Sequence, residues 1–137
     1  MNKTQIGKQE IVHFIGIGGI GMSGLAQIMK TMGFSVQGSD INENKNTDNC
    51  KKLGIKILKG HSKKNILNAT IIVKSSAIKK NNVELSYSKK KNIPSYDRIE
   101  MLANIIDLKK NIIVTGSHGK TTTTSLVAKI ISTARLD

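Results

Sequence analysis

Short apolar runs alternate with amphipathic stretches along the chain. Ile11-Val12-His13-Phe14-Ile15 reads as a buried strand, and after a glycine turn Leu25, Ile28, Met29 and Met32 recur at helical spacing. Gly33 stands where a helix would take its glycine C-cap. Residues 34–38 predict a second strand, residues 47–53 a short helix closed by Gly54, and residues 55–58 a third strand. Residues 70–73 predict a fourth strand and residues 83–91 a polar helix. Ile93-Pro94-Ser95-Tyr96 reads as a short edge strand, because proline cannot donate to a ladder. Residues 98–108 predict a helix with Ile99, Leu102, Ala103 and Ile106 on one face, and Ile112-Ile113-Val114 a further strand. This β-α alternation predicts an α/β fold with a doubly wound parallel sheet and right-handed crossovers.

Two glycine loops interrupt the pattern. The first, Gly16-Ile17-Gly18-Gly19-Ile20-Gly21-Met22-Ser23-Gly24, satisfies G-x-G-x-x-G between a strand and a helix. Glycines 16 and 18 permit a tight turn and let backbone N–H groups approach phosphate oxygens. Gly21 lets the helix sit close to the sheet, and the helix N-terminus favours negative charge. Asp40 follows about twenty residues on, where a carboxylate can accept from ribose hydroxyls. The domain is therefore expected to be Rossmann-like, and spacing alone would suggest NAD as its ligand.

The second loop, Gly116-Ser117-His118-Gly119-Lys120-Thr121-Thr122, follows the last apolar run and is shorter than the usual G-x-x-x-x-G-K-[ST]. Its chemistry is still that of a phosphate loop. Backbone N–H groups cradle phosphates, Lys120 offsets β/γ charge and the Thr121 hydroxyl can ligate Mg²⁺. Threonines in a first helical turn can also satisfy free N–H groups.

Taken together, residues 12–26, Gly38-Ser39-Asp40, Ser75-Ser76-Ala77-Ile78, Arg98-Ile99-Glu100-Met101-Leu102 and the short second loop closely resemble the Mur ligases of peptidoglycan synthesis. The Gly-Gly-Ile-Gly-Met-Ser version of the first loop favours the alanine-adding branch. The resemblance implies an ATP- and Mg²⁺-dependent enzyme of three domains, the first of which holds the UDP part of UDP-N-acetylmuramate. It also implies that ATP phosphorylates the muramate carboxylate and that the amine of L-alanine attacks the acyl phosphate.

Carried onto this sequence, Gly18, Gly19, Ile20, Gly21, Met22 and Ser23 would lie along the UDP diphosphate, and Asp40 near the uridine. Ser75, Ser76 and Ala77 would line the same pocket, Arg98 could pair with phosphate oxygens, and residues 116–122 would form the ATP loop with Lys120 and Thr121 catalytic. The family's usual Arg-Ala-Glu-Met-Leu reads Arg98-Ile99-Glu100-Met101-Leu102 here, a change expected to be tolerated on the helix's apolar side. On this reading residues 1–108 form the UDP-binding domain and residues 109–137 begin a truncated ATP-binding domain, so this chain alone is not expected to ligate.

Composition changes little. The net charge of +13 is almost all lysine and is spread along the chain, with arginine only at Arg98 and Arg135 and with few aromatics. Base readout leans on arginine forks and strand binding on aromatic platforms, so no nucleic-acid partner is expected. The lone Cys50 cannot form an internal disulfide, and is expected to be an inert surface thiol. The apolar runs are too short for a membrane span, and the polar first ten residues lack a signal peptide's core. A cytoplasmic protein is the simplest expectation. His13, inside a strand, is expected to be structural. His61 is open between contacting the uracil and leaving Ser62 to cap the next helix.

Overall fold

The computed structural model describes residues 6–115, with side chains to residue 108. In chain order the elements are β1 (Ile11–Ile15), α1 (Ile20–Thr31), β2 (Ser35–Asp40), α2 (Lys45–Lys52), β3 (Lys56–Lys59), a 3-10 turn (Lys63–Ile66), β4 (Ile71–Lys74), α3 (Val83–Lys90), β5 (Ser95–Asp97) and α4 (Arg98–Thr115). The five strands form one sheet in the order β3-β2-β1-β4-β5, and every neighbouring pair is parallel. Leu53 and Gly54 N–H groups bond back to Cys50 and Lys51 carbonyls as α2 ends. The proline-containing run does lie at the sheet edge, as β5.

Strand alternation sorts the core into two layers. Val12, Phe14, Val36, Ile71 and Val73 face α1, α2 and α4, joining Met22, Leu25, Ile28, Met29, Cys50, Met101 and Ile105 in one apolar cluster. Ile15 and Ile72 face the other way, against Ile66, Ala69 and Leu85. Helices thus cover both faces, and the sheet is doubly wound. Gly38 in β2 is required by close approach: a Cβ there would lie 2.5 Å from Ile17 Cδ1 and 3.0 Å from the Phe14 carbonyl.

Two expectations for the last helix are corrected. Its buried face carries Met101, Leu102 and Ile105, whereas Ile99 is 66% exposed and Ala103 faces solvent. The backbone of Ile112, Ile113 and Val114 continues α4 instead of forming a strand. Helical hydrogen bonds are local, while a strand needs a neighbour to complete its ladder, and the described sheet supplies none to these residues. Cys50 is fully buried, not on the surface.

Candidate functional site

The sheet reverses direction at β1, where the chain winds outward first through β2 and β3 and then through β4 and β5. In such sheets the strand C-termini beside the reversal leave a crevice. Here that crevice is a cavity of about 310 Å³ walled by Gly19, Gly21 and Met22 at the start of α1, Ser75 and Ser76 after β4, and Asp97, Arg98 and Ile99 where β5 enters α4.

The start of α1 suits an anion. Gly19 occupies the N-cap without a side-chain capping bond, and the first turn carries no acidic residue. The helical ladder begins with the Ser23 N–H donating to the Gly19 carbonyl at 2.8 Å. The N–H groups of Ile20, Gly21 and Met22 precede that bond and carry the positive end of the helix dipole. Arg98 is held on the opposite wall by a reciprocal cap: Glu100 N–H donates to Asp97 Oδ1 at 2.8 Å, and Asp97 N–H donates to Glu100 Oε1 at 3.1 Å.

The glycine loop is braced from beneath. Gly16 has φ of +85°, and its N–H and that of Ile17 both donate to the Ser39 carbonyl, at 2.9 and 3.0 Å. Gly18 N–H donates to Asp40 Oδ2 at 2.8 Å, while its carbonyl accepts from Asn44 Nδ2 at 3.1 Å and Asn46 Nδ2 at 2.9 Å. Asp40 Oδ1 accepts from Asn42 N–H. A Cβ on Gly18 would sit 2.8 Å from Asp40 Oδ2, so glycine is needed there for the clamp.

Of the residues marked from sequence, Gly19, Gly21, Met22, Ser75, Ser76 and Arg98 come together around the cavity. Others do not. Asp40 has one carboxylate oxygen engaged by Gly18 N–H of the loop and the other by Asn42 N–H. Ser23 is buried, with its hydroxyl donating to the Ile20 carbonyl. Ile20 is exposed, and Ala77 is exposed with its N–H donating to Ser75 Oγ. Residues 116–122, with the expected Lys120 and Thr121 chemistry and the Mg²⁺ ligand, lie outside the described residues. Asp97 and Ile99 were not anticipated at the cavity, although the Asp-x-x-Glu pattern before an apolar helix face is a readable cap signal.

A second polar cluster lies under α3. Glu84 is fully buried, with Oε1 2.5 Å from His13 Nε2 and Oε2 2.8 Å from His61 Nδ1. Ser39 Oγ donates to the same carboxylate at 2.8 Å, and the Ser62 N–H and Asn65 Nδ2 also reach Oε2. Gln37 Nε2 donates to the Asn65 carbonyl at 2.8 Å, so the group it turns to His13 Nδ1 at 2.9 Å is also a donor. Hence His13 accepts at Nδ1 and donates from Nε2 to Glu84. Burial pushes the Glu84 carboxyl up, but the hydrogen bonds from His13, Ser39 and His61 outweigh it and hold the group below the ordinary carboxylate range. His13 is thus structural, as expected. Ser62 caps the 3-10 turn through Lys64 N–H, while His61 itself joins the Glu84 cluster. Nothing in the spacing signals this cluster, because Glu84 is separated from His13 by most of the domain.

The sequence pattern of the Mur ligase family, catalytic domain, matches residues 11–110. The chain belongs to the Mur ligase family. Among curated relatives it is 64% identical over 135 residues to the UDP-N-acetylmuramate–L-alanine ligase of Pelagibacter ubique, covering 98% of this chain and 29% of the relative. It is 55% identical over 125 residues to the enzyme of that name from Aquifex aeolicus, covering 91% and 28%. A solved structure of the Thermotoga maritima UDP-N-acetylmuramate–alanine ligase superposes with a TM-score of 0.70 at 33% identity, over 73% of this chain and 23% of that one. This Mur ligase chain therefore spans less than a third of the length of the relatives it matches. The match carries the Rossmann-like sheet of a Mur ligase and the glycine loop within it. No helix among the described residues is long and apolar enough to cross a membrane.

Proposed function

We propose that this chain is the UDP-binding portion of a ligase that joins L-alanine to UDP-N-acetylmuramate with ATP and Mg²⁺. The observation that carries the reading is the uncapped start of α1 facing a cavity whose other walls are Ser75, Ser76 and Arg98. Backbone N–H groups, two serine hydroxyls and a guanidinium form a donor set suited to a diphosphate. The curated relatives named for this activity support the substrate assignment. Asp40, Asn44 and Asn46 would act by holding the Gly18 peptide, with Gly18 to Met22 along the diphosphate and residues 75–77 beside it.

In this reading residues 1–108 bind the nucleotide, and residues 109–137 begin the ATP-binding region, with residues 116–122 as its phosphate loop. The reaction would run through an acyl phosphate on the muramate carboxylate. The described residues contribute binding and orientation.

Calorimetric titration of UDP-N-acetylmuramate, UDP and NADH into the chain tests the reading. Micromolar binding of the uridine ligands, weakened about tenfold in Arg98→Ala, is the expected result. Tight NADH binding with no response to UDP would overturn it.

A further inference from the structure

The Glu84 cluster lies beneath the ligand edge without lining the cavity, and it ties two segments of that edge together. Ser39 donates its hydroxyl to Glu84, and the Ser39 carbonyl receives the N–H groups of Gly16 and Ile17. His61 follows β3 at the same edge, where Gly60 N–H donates to the Asp40 carbonyl at 2.7 Å. Asp40 in turn clamps Gly18.

Hydrogen-bond logic sets the state of His61. An ionised carboxylate only accepts, and the single Ser39 hydroxyl proton is directed to Glu84, so His61 Nδ1 must supply the proton across 2.8 Å. No hydrogen bond involves His61 Nε2 among the described residues, and no buried side-chain nitrogen or oxygen there lacks a partner. His61 Nε2 therefore meets solvent, consistent with a side chain that is 14% exposed. With the proton on Nδ1, Nε2 carries a lone pair in the neutral ring.

We propose that Glu84 is a positioning residue of the nucleotide site, holding His61 as the Nδ1–H tautomer so that Nε2 presents an acceptor to a ligand N–H or O–H donor. The ligand assignment rests on the UDP reading. The donor that a uracil base offers is its imide N–H, whereas the corresponding ring nitrogen of cytosine is an acceptor. An acceptor at His61 therefore favours the uridine nucleotide over the cytidine nucleotide, since two facing acceptors leave both unsatisfied.

Two measurements test this. Long-range ¹H–¹⁵N correlation spectra of the unmodified chain at pH 8 should show His61 protonated at Nδ1 and bare at Nε2, and Glu84→Gln should lose that preference. A proton on Nε2 in the unmodified chain overturns the proposal. UDP and CDP are then titrated calorimetrically into the unmodified chain, Glu84→Gln and His61→Ala. The expected preference for UDP is about tenfold in the first and within about twofold of parity in both variants, through weaker UDP binding. Folded Glu84→Gln with the full preference overturns the proposal, and so does His61→Ala with the full preference, which decides the matter if Glu84→Gln does not fold. Binding of neither nucleotide would sink the UDP reading, while a tautomer lost in Glu84→Gln would still support the role of Glu84.

Discussion

Val12 and Phe14 point from β1 into the apolar layer under α1 and α4, while His13, between them, points into the polar cluster under α3. Each layer buries a titratable group. Cys50 in the apolar layer has a weak bond from Sγ to the Ser23 carbonyl, at 3.9 Å, and burial pushes its thiol up to about 11 against a smaller opposing hydrogen bond with Gln27. Glu84 is as inaccessible as Cys50, yet its carboxyl is held below the ordinary range. Desolvation disfavours the charged form of both groups. What separates them is the partner set. Five residues turn donors toward Glu84, so its charge is retained where the thiolate's would be suppressed.

The sharpest break in this contrast is Phe14→Ala on the apolar side. It should cost about 4 kcal/mol by urea denaturation, with nearly the same loss at acid and neutral pH, because the deficit is a cavity and not a charge. Glu84→Gln should cost about 2 kcal/mol near pH 7, and that loss should shrink on acidification. A depressed folded-state pKa stabilises above the unfolded carboxylate range, and this contribution is lost as pH falls through the lower folded value. Denaturation midpoints of parent and variant should therefore converge at low pH, and a constant gap would mean that the Glu84 charge is not what the cluster stabilises.

Cys50 sharpens the comparison with a smaller effect of opposite sign. A thiol raised from 9.0 to about 11 contributes stability that is full below pH 9 and lost as pH rises toward 11. At pH 8 the folded chain should resist alkylation and react only once denatured, as a mass-spectrometric time course would show. Prompt labelling of the native chain would place Cys50 outside the apolar layer.

Much of the apolar layer was legible along the chain. The apolar run of β1 and the helical spacing of Leu25, Ile28 and Met29 marked their buried positions, because a continuous apolar run suits a strand covered on both faces and helical periodicity encodes which side is covered. The first glycine loop was equally readable, since G-x-G-x-x-G before a helix has few other physical uses. At the cavity, Gly19, Gly21, Met22, Ser75, Ser76 and Arg98 were anticipated and meet there. Asp40 was marked from sequence for a place near the uridine, and its bond to Gly18 N–H was not legible, because that contact is set by how β2 sits beside the loop. Ile99 was misplaced because residues 98–108 allow more than one apolar face, and contact with the sheet selected Met101, Leu102 and Ile105.

By itself the sequence determined the doubly wound order of elements, the family and the glycine turn that opens the first helix. These follow from local periodicity and from short motifs whose geometry is set within a few residues. Only the tertiary structure decided that Glu84, His13, Ser39 and His61 form one charge-bearing cluster, and that Asp40 serves the loop. Such groups are distant in the chain, and a parallel sheet brings them into hydrogen-bonding range through register, which no local pattern specifies.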